Sequence, residues 1–240
     1  MKISVLTYNV LFNRALTNFE RILDRYQPDI ICLQEIETRE ANLKNVEAHG
    51  YKLTDYSNSF IKFGTVFGLA TFYKPDKLDF TDSRSLTLPR SYYEFLLVLL
   101  RNGNIPRTVL KTEFKLKDSG KPLINYNLHL TAWATNGIRV KQIKTTLEDL
   151  HITTIDKTVI IAGDFNYPYQ RKNFEELITQ YGLSEATDNL YVTFEGKWFH
   201  FLPMKLKLDY ILYKNVSLIK TERVQSRESD HFPIISTFEI

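Results

Sequence analysis

Hydrophobic and polar positions follow two rhythms along this chain. Residues 3–10, ISVLTYNV, are dense in β-branched and aromatic side chains and predict a strand. In the next segment Leu16, Phe19, Ile22, Leu23 and Tyr26 recur at helical spacing, with Thr17 and Glu20 in capping-box positions and Pro28 past the end. DIICLQE returns to strand character, and its nearly unbroken apolar run predicts burial on both faces. A short helix over about 40–48 stops at Gly50.

Four strand candidates then follow: TVFGLATFY, YEFLLVLL, RTVLKTEFKL and PLINYNLHL. Val140, Ile143, Leu147 and Leu150 mark one face of a helix over about 138–150, and KTVIIAGDFN is again a buried strand. Phe174, Leu177, Ile178 and Tyr181 define a further helix, ended by Gly182 where a left-handed cap belongs. KLDYILY, VSLIKTERV and FPIISTFEI close the chain as strands.

Strands apolar on both sides need cover on both sides. Helices on the outer face of each of two sheets, with the sheets packed together, meet that need and predict an α/β fold, a four-layer α/β/β/α sandwich of two mixed sheets. No Pro/Gly/Ser-rich linker or composition step divides residues 1–240, so one domain is expected.

Composition narrows the function classes. The 240 residues are 43% hydrophobic and 25% charged, an ordinary balance for a globular protein with a sizeable core. A net charge of +3 is compatible with a phosphate-bearing partner without demanding one. The single cysteine, Cys32, excludes an internal disulfide, and its apolar surroundings predict a buried thiol rather than a nucleophile. The longest apolar run, FLLVLL, is far short of the roughly 20 residues of a membrane-spanning helix, so no integral membrane segment is expected. Thr7, Tyr8 and Asn9 interrupt the apolar start and no small-x-small cleavage site follows, which predicts a strand rather than a signal peptide, and a cytoplasmic monomer.

The chemistry lies where polar residues meet apolar strands. Asn9 follows LTY, Glu35 follows CLQ, His129 follows YNL, Asp164 and Asn166 follow IIAG, Asp209 interrupts KLKLDYIL, and Asp230 and His231 precede FPII. Singly, each has a structural reading: a turn asparagine, a surface glutamate, a satisfied sheet histidine, a Gly-Asp turn. Asp209 resists it, because an ionised carboxylate in an apolar strand is costly unless paired. Strand ends converge at one edge of a sheet, and four acids gathered there need a cation. Oxygen ligands without cysteine point to Mg²⁺, or Mn²⁺.

Taken in order, TYN, LQE, NLHL, GDFN, LDYI and SDH resemble the motifs of the endonuclease/exonuclease/phosphatase family with the DNase I-like fold, over nearly the whole chain from Asn9 to His231. The resemblance implies a four-layer sandwich and Mg²⁺-dependent phosphoester hydrolysis. It makes Asn9, Glu35 and Asp230 the metal side of the site, with Glu35 the principal ligand. Asp164 and Asn166 would hold and activate the attacking water, His129 would contact the scissile phosphate, and Asp209 would orient His231 from behind. Arg139 and Gln142 resemble a supporting Arg-x-x-Gln. Either His231 or Asp164 could be the general base.

Departures from the family's branches bear on the substrate. Leu11, His129 and Leu206 stand where apurinic endonucleases of this family usually carry Asp, Tyr and Trp, which disfavours abasic-site repair. Between Gly196 and Arg223 six Lys or Arg face two acids and are interleaved with aromatics including Trp198, a composition suited to backbone phosphates and base stacking, or equally to a solvated strand-loop-strand. Arg90, Tyr92 and Trp133 are further candidate substrate contacts on loops. The leading expectation is a nuclease acting on DNA or RNA. The alternative is a phosphatase or sphingomyelinase-like phosphodiesterase acting on a phospholipid head group or a small phosphate ester, with a catalytically silent binding module third.

Overall fold

The computed structural model describes residues 1–62, 64–90, 107–132, 134–153, 157–198 and 202–240, with backbone alone at 151–153 and 198. In chain order the elements begin with β1 (Lys2–Asn9), α1 (Phe19–Tyr26), β2 (Ile30–Glu37), α2 (Glu40–Glu47), β3 (Lys52–Lys62), β4 (Thr65–Tyr73) and β5 (Leu78–Thr87). They continue with β6 (Thr108–Leu116), β7 (Pro122–His129), α3 (Asn136–Thr153), β8 (Thr158–Asp164), α4 (Arg171–Gln180) and β9 (Ser184–Glu185). The last are β10 (Phe194–Trp198), β11 (Leu202–Leu206), β12 (Asp209–Lys214), β13 (Ser217–Arg223) and β14 (Ile234–Glu239).

Two mixed sheets of six strands result, in the orders β13-β14-β1-β2-β4-β3 and β5-β6-β7-β8-β12-β9, beside a β10–β11 hairpin. Each sheet has one parallel pair near its centre, β1 with β2 and β7 with β8, and every other pairing is antiparallel. A parallel pair requires a crossover, and the helices α1 and α3 supply it.

Strand alternation sorts the apolar residues into three cores. Ile3, Val5, Ile30 and Cys32 meet Phe114, Leu123, Ile160 and Ala162 between the sheets. Their neighbours Leu6, Tyr8, Ile31 and Leu33 point the other way, onto Phe19, Ile22 and Leu23 of α1 and Leu43 and Val46 of α2. On the second sheet Ile124, Tyr126, Leu128, Val159 and Ile161 pack under Ile143 and Leu147 of α3 and Phe174 and Leu177 of α4. The expected α/β/β/α sandwich is therefore the observed one, and the doubly apolar strands are its inner layers.

A buried polar seam aligns the sheets. Gln34 donates to Asn127 Oδ1 (2.8 Å), and the Asn127 amide donates back across the interface to the carbonyls of Leu33 (3.1 Å) and Ala70 (3.0 Å). These bonds relieve the desolvation of two amides and fix how β2 sits over β7.

Three readings from the sequence need correction or completion. The Thr17–Glu20 capping box is not formed: α1 starts at Phe19 with Asn18 as N-cap, and Thr17 lies in a preceding 3₁₀ turn with its hydroxyl on the Arg14 carbonyl (3.4 Å). β3 and β5 carried no strand signal: both are edges whose residues are mostly exposed or half-exposed and show no apolar alternation, whereas VSLIKTERV already marked the edge strand β13. The expected strand YEFLLVLL lies wholly outside the described residues.

Candidate active site

Register builds the site. On the second sheet Asp164 of β8 is the register partner of both His129 of β7 and Asp209 of β12, so three titratable side chains form one row at the strand ends. Gly163 makes the row possible: at φ 151° it lets β7 approach so closely that an added Cβ would stand 2.0 Å from the Leu128 carbonyl oxygen. On the first sheet Asn9 ends β1 opposite Gln34. Glu35 does not end its strand, contrary to the expectation from sequence. It sits inside β2 at a break in register, in the left-handed conformation (φ 56°), which re-aims its carboxylate.

The two rows meet at Asp164. Its Oδ2 accepts from the Asn9 amide (3.1 Å) and lies 3.5 Å from His129 Nε2 and 3.7 Å from His231 Nε2. Its Oδ1 accepts the Asn166 backbone N–H (2.9 Å), and the Asn166 amide donates to the Leu130 carbonyl (3.1 Å). Burial pushes the Asp164 carboxyl up to about 7; the His231 cation opposes this and Asp209 reinforces it.

Asp209 and His231 form a buried pair. His231 Nδ1 stands 2.9 and 3.1 Å from the two Asp209 oxygens, while Thr193 Oγ1 accepts the Asp209 N–H (3.0 Å) and holds that strand end. Burial alone would lower the His231 pKa, but Asp209 and Asp164 overcome it and raise it to about 10. The ring is an imidazolium at neutral pH, with Nε2–H directed at Asp164.

His129 is in the opposite state. Burial, then the Arg107 and His231 charges, hold its pKa well below the usual histidine range. Arg107 Nη1 lies 3.0 Å from His129 Nδ1, and a guanidinium can only donate, so the neutral ring carries its proton on Nε2, toward Asp164 and Glu35 Oε1 (3.8 Å). Nothing in the sequence singled out Arg107; it opens an ordinary strand pattern.

Glu35 and Asp230 differ from the rest. Glu35 Oε2 is buried without a hydrogen-bond partner among the described residues, and burial raises the carboxyl's pKa. Asp230 is half-buried, its carboxylate touched by the Ser229 hydroxyl (3.4 Å). Asp164, Asp209 and His231 hold ligating atoms within 4.8 Å of one another and could hold a metal ion. Within that cluster Asp209 is already paired with His231, whereas Glu35 keeps its unsatisfied buried oxygen. Arg139 and Gln142 lie behind the site, where Arg139 holds the Thr131 and Ala132 carbonyls and Gln142 the Thr131 N–H. Of the candidate substrate contacts, Arg90 is exposed beyond β5, Trp198 has only its backbone placed, in β10, and Tyr92 and Trp133 lie outside the described residues.

This arrangement has relatives. The model of the Endonuclease/Exonuclease/phosphatase family matches residues 6–231. Over 224 residues the chain is 27% identical to the CCR4-Not complex 3'-5'-exoribonuclease subunit Ccr4 of Candida albicans, a match covering 80% of this chain but only 28% of that protein's length. The human Nocturnin catalytic domain with bound sulfate anion aligns at a TM-score of 0.79 and 19% identity, covering 99% of this chain and 94% of that one. The Bacteroides thetaiotaomicron mannosyl-6-phosphatase Bt3783 aligns at 0.74 and 18% identity, over 99% and 100% of the two chains. D. rerio TDP2, complexed with single strand DNA product, aligns at 0.73 and 17%, over 100% and 99%. At such identities the structures speak for the fold, while the family match speaks for descent: the chain belongs to the endonuclease/exonuclease/phosphatase family, whose members are phosphoester hydrolases.

Proposed function

We propose that the chain is a Mg²⁺-dependent phosphodiesterase acting on nucleic acid, with Asp164 as general base and His129 and His231 as phosphate-binding donors. The observation that carries this reading is the single row of His129, Asp164 and Asp209, closed by His231 and faced by Asn9 and Glu35 from the other sheet. Similarity to an exoribonuclease subunit supports a nucleic-acid substrate.

The residues fit a hard divalent ion. Glu35 offers an unsatisfied buried carboxylate oxygen, Asn9 an amide oxygen that already accepts the Leu11 N–H (3.1 Å) but keeps a second lone pair, and Asp230 a half-buried carboxylate. When bound there, Mg²⁺ supplies positive charge to a non-bridging phosphate oxygen.

The side chains divide the remaining work. A carboxyl with a pKa of about 7 is in good part ionised at neutral pH, so Asp164 can take the proton of the attacking water. Asn9 and the Asn166 N–H each hold one of its oxygens, which fixes the direction of that transfer. An imidazolium with a pKa near 10 has no free lone pair at neutral pH, so His231 donates rather than abstracts. His129 adds a neutral donor through Nε2–H, and both imidazoles act where charge grows on the phosphoryl oxygens.

Single-stranded RNA, single-stranded DNA, duplex DNA, sphingomyelin and inositol phosphates, assayed with Mg²⁺ and with EDTA, test the reading. Metal-dependent cleavage of at least one nucleic acid is expected, with Asp164→Asn and His231→Ala each lowering turnover by about 10²-fold or more in a folded protein. Activity confined to the lipid and inositol substrates would sink it.

A further inference from the structure

Beside His129 lies a cluster of aromatic rings that the hydrolytic chemistry does not use. Phe60 of β3 stands edge-on to the His129 ring at 6.2 Å, and Phe12 packs edge-on against Phe60 (5.8 Å) and Phe67 (5.2 Å). Phe12 and Phe60 are half-buried, while Phe67, stacked on Phe60 (5.7 Å), is buried. Both outer rings carry a cation: Lys62 Nζ is 3.3 Å from the Phe12 centroid and the Arg107 guanidinium carbon 5.1 Å from that of Phe60.

The backbone that presents Phe12 is held under strain. Leu11, Phe12 and Asn13 lie in succession in the left-handed region, at φ 45°, 56° and 68°, which non-glycine residues rarely sustain even singly. Hydrogen bonds clamp both ends: Asn9 Oδ1 accepts the Leu11 N–H (3.1 Å), and Asn13 exchanges two bonds with Glu37, at 2.7 and 3.2 Å. The same Asn9 that touches Asp164 thus sets the start of the loop that carries Phe12.

We infer that Phe12, backed by Phe60, forms a stacking subsite for a nucleobase attached to the phosphate held at His129, the base displacing the Lys62 ammonium from the Phe12 face and leaving Lys62 and Arg107 to the backbone phosphates. This rests on the nucleic-acid reading above and deepens it. A flat π-face beside an anion suits this pairing of aromatic rings with cations, whereas an acyl chain gains nothing from the charges. Arg107 joins the two functions, since one guanidinium lies over the Phe60 ring and donates to His129.

A substrate pair isolates the stacking from everything else. A short single-stranded oligonucleotide is compared with the same strand bearing a tetrahydrofuran abasic residue next to the scissile bond, in wild-type protein, Phe60→Leu, Phe12→Leu and Phe60→Trp. Wild type is expected to prefer the intact strand about tenfold or more in kcat/KM. Both leucine variants narrow that ratio toward one and the tryptophan variant keeps it. Because the readout is a ratio within each variant, a partial folding defect cancels. An unchanged ratio in both leucine variants overturns the subsite while leaving the nuclease reading intact. Failure of wild type to cleave either strand overturns both.

Discussion

His231 shows how one residue's surroundings decide its chemistry. Among the five histidines of the chain, it is held cationic by Asp209 and Asp164 at the same site where burial and Arg107 keep His129 neutral. The charge has a thermodynamic signature. The folded chain keeps the His231 proton up to about pH 10, whereas an unfolded chain releases it near 6.5, so stability falls as pH rises through that window. Asp164 acts in the same sense at lower pH, because its folded pKa of about 7 also exceeds that of a free carboxyl. Melting curves in EDTA should therefore move to lower temperature between pH 7 and 9.5, and His231→Gln should flatten that decline. An undiminished slope in the variant would place the proton elsewhere. The eight polar site residues were legible in the sequence as a set, since each breaks an apolar strand or stands beside one. Arg107 and Phe60 were not, because an arginine opening a strand and a phenylalanine on an edge strand break no local pattern.

Among the elements, the strand register does the assembling. Asp209, Asp164 and His129 come together because β12, β8 and β7 are adjacent and in step, which the two-residue periodicity of each strand does not encode. Gly163 is the tightest point of that arrangement. Gly163→Ala would force a Cβ against the Leu128 carbonyl at a φ that alanine resists, and should destabilise the fold by about 3 kcal/mol or more. Urea unfolding measures this, and a loss below about 1 kcal/mol would mean that β7 and β8 can separate without penalty. The same contrast explains what was readable at this scale. Central strands and their helices announced themselves by apolar periodicity, as did the edge strand β13, while β3 and β5, edges whose residues are mostly exposed or half-exposed, did not.

Across the whole molecule, the site spans both sheets, with Asn9 and Glu35 from one and His129, Asp164 and Asp209 from the other. An ion bound by Glu35 and its neighbours stabilises only the state in which the sheets are stacked, so it should act on global unfolding. Mg²⁺ is expected to raise the melting temperature and Glu35→Gln to abolish most of that rise; an equal rise in the variant would move the ion away from Glu35. Among the described residues no helix is long and apolar enough to cross a membrane.

The identity of the layers, the order of the motifs and the residue types available for chemistry are local properties, written in periodicity and in polar residues that interrupt it. How those residues meet is not local. The bulge that turns Glu35, the strained loop that carries Phe12 and the protonation states of two histidines arise only when two sheets close on each other, because burial and neighbouring charge exist only between segments far apart in the chain.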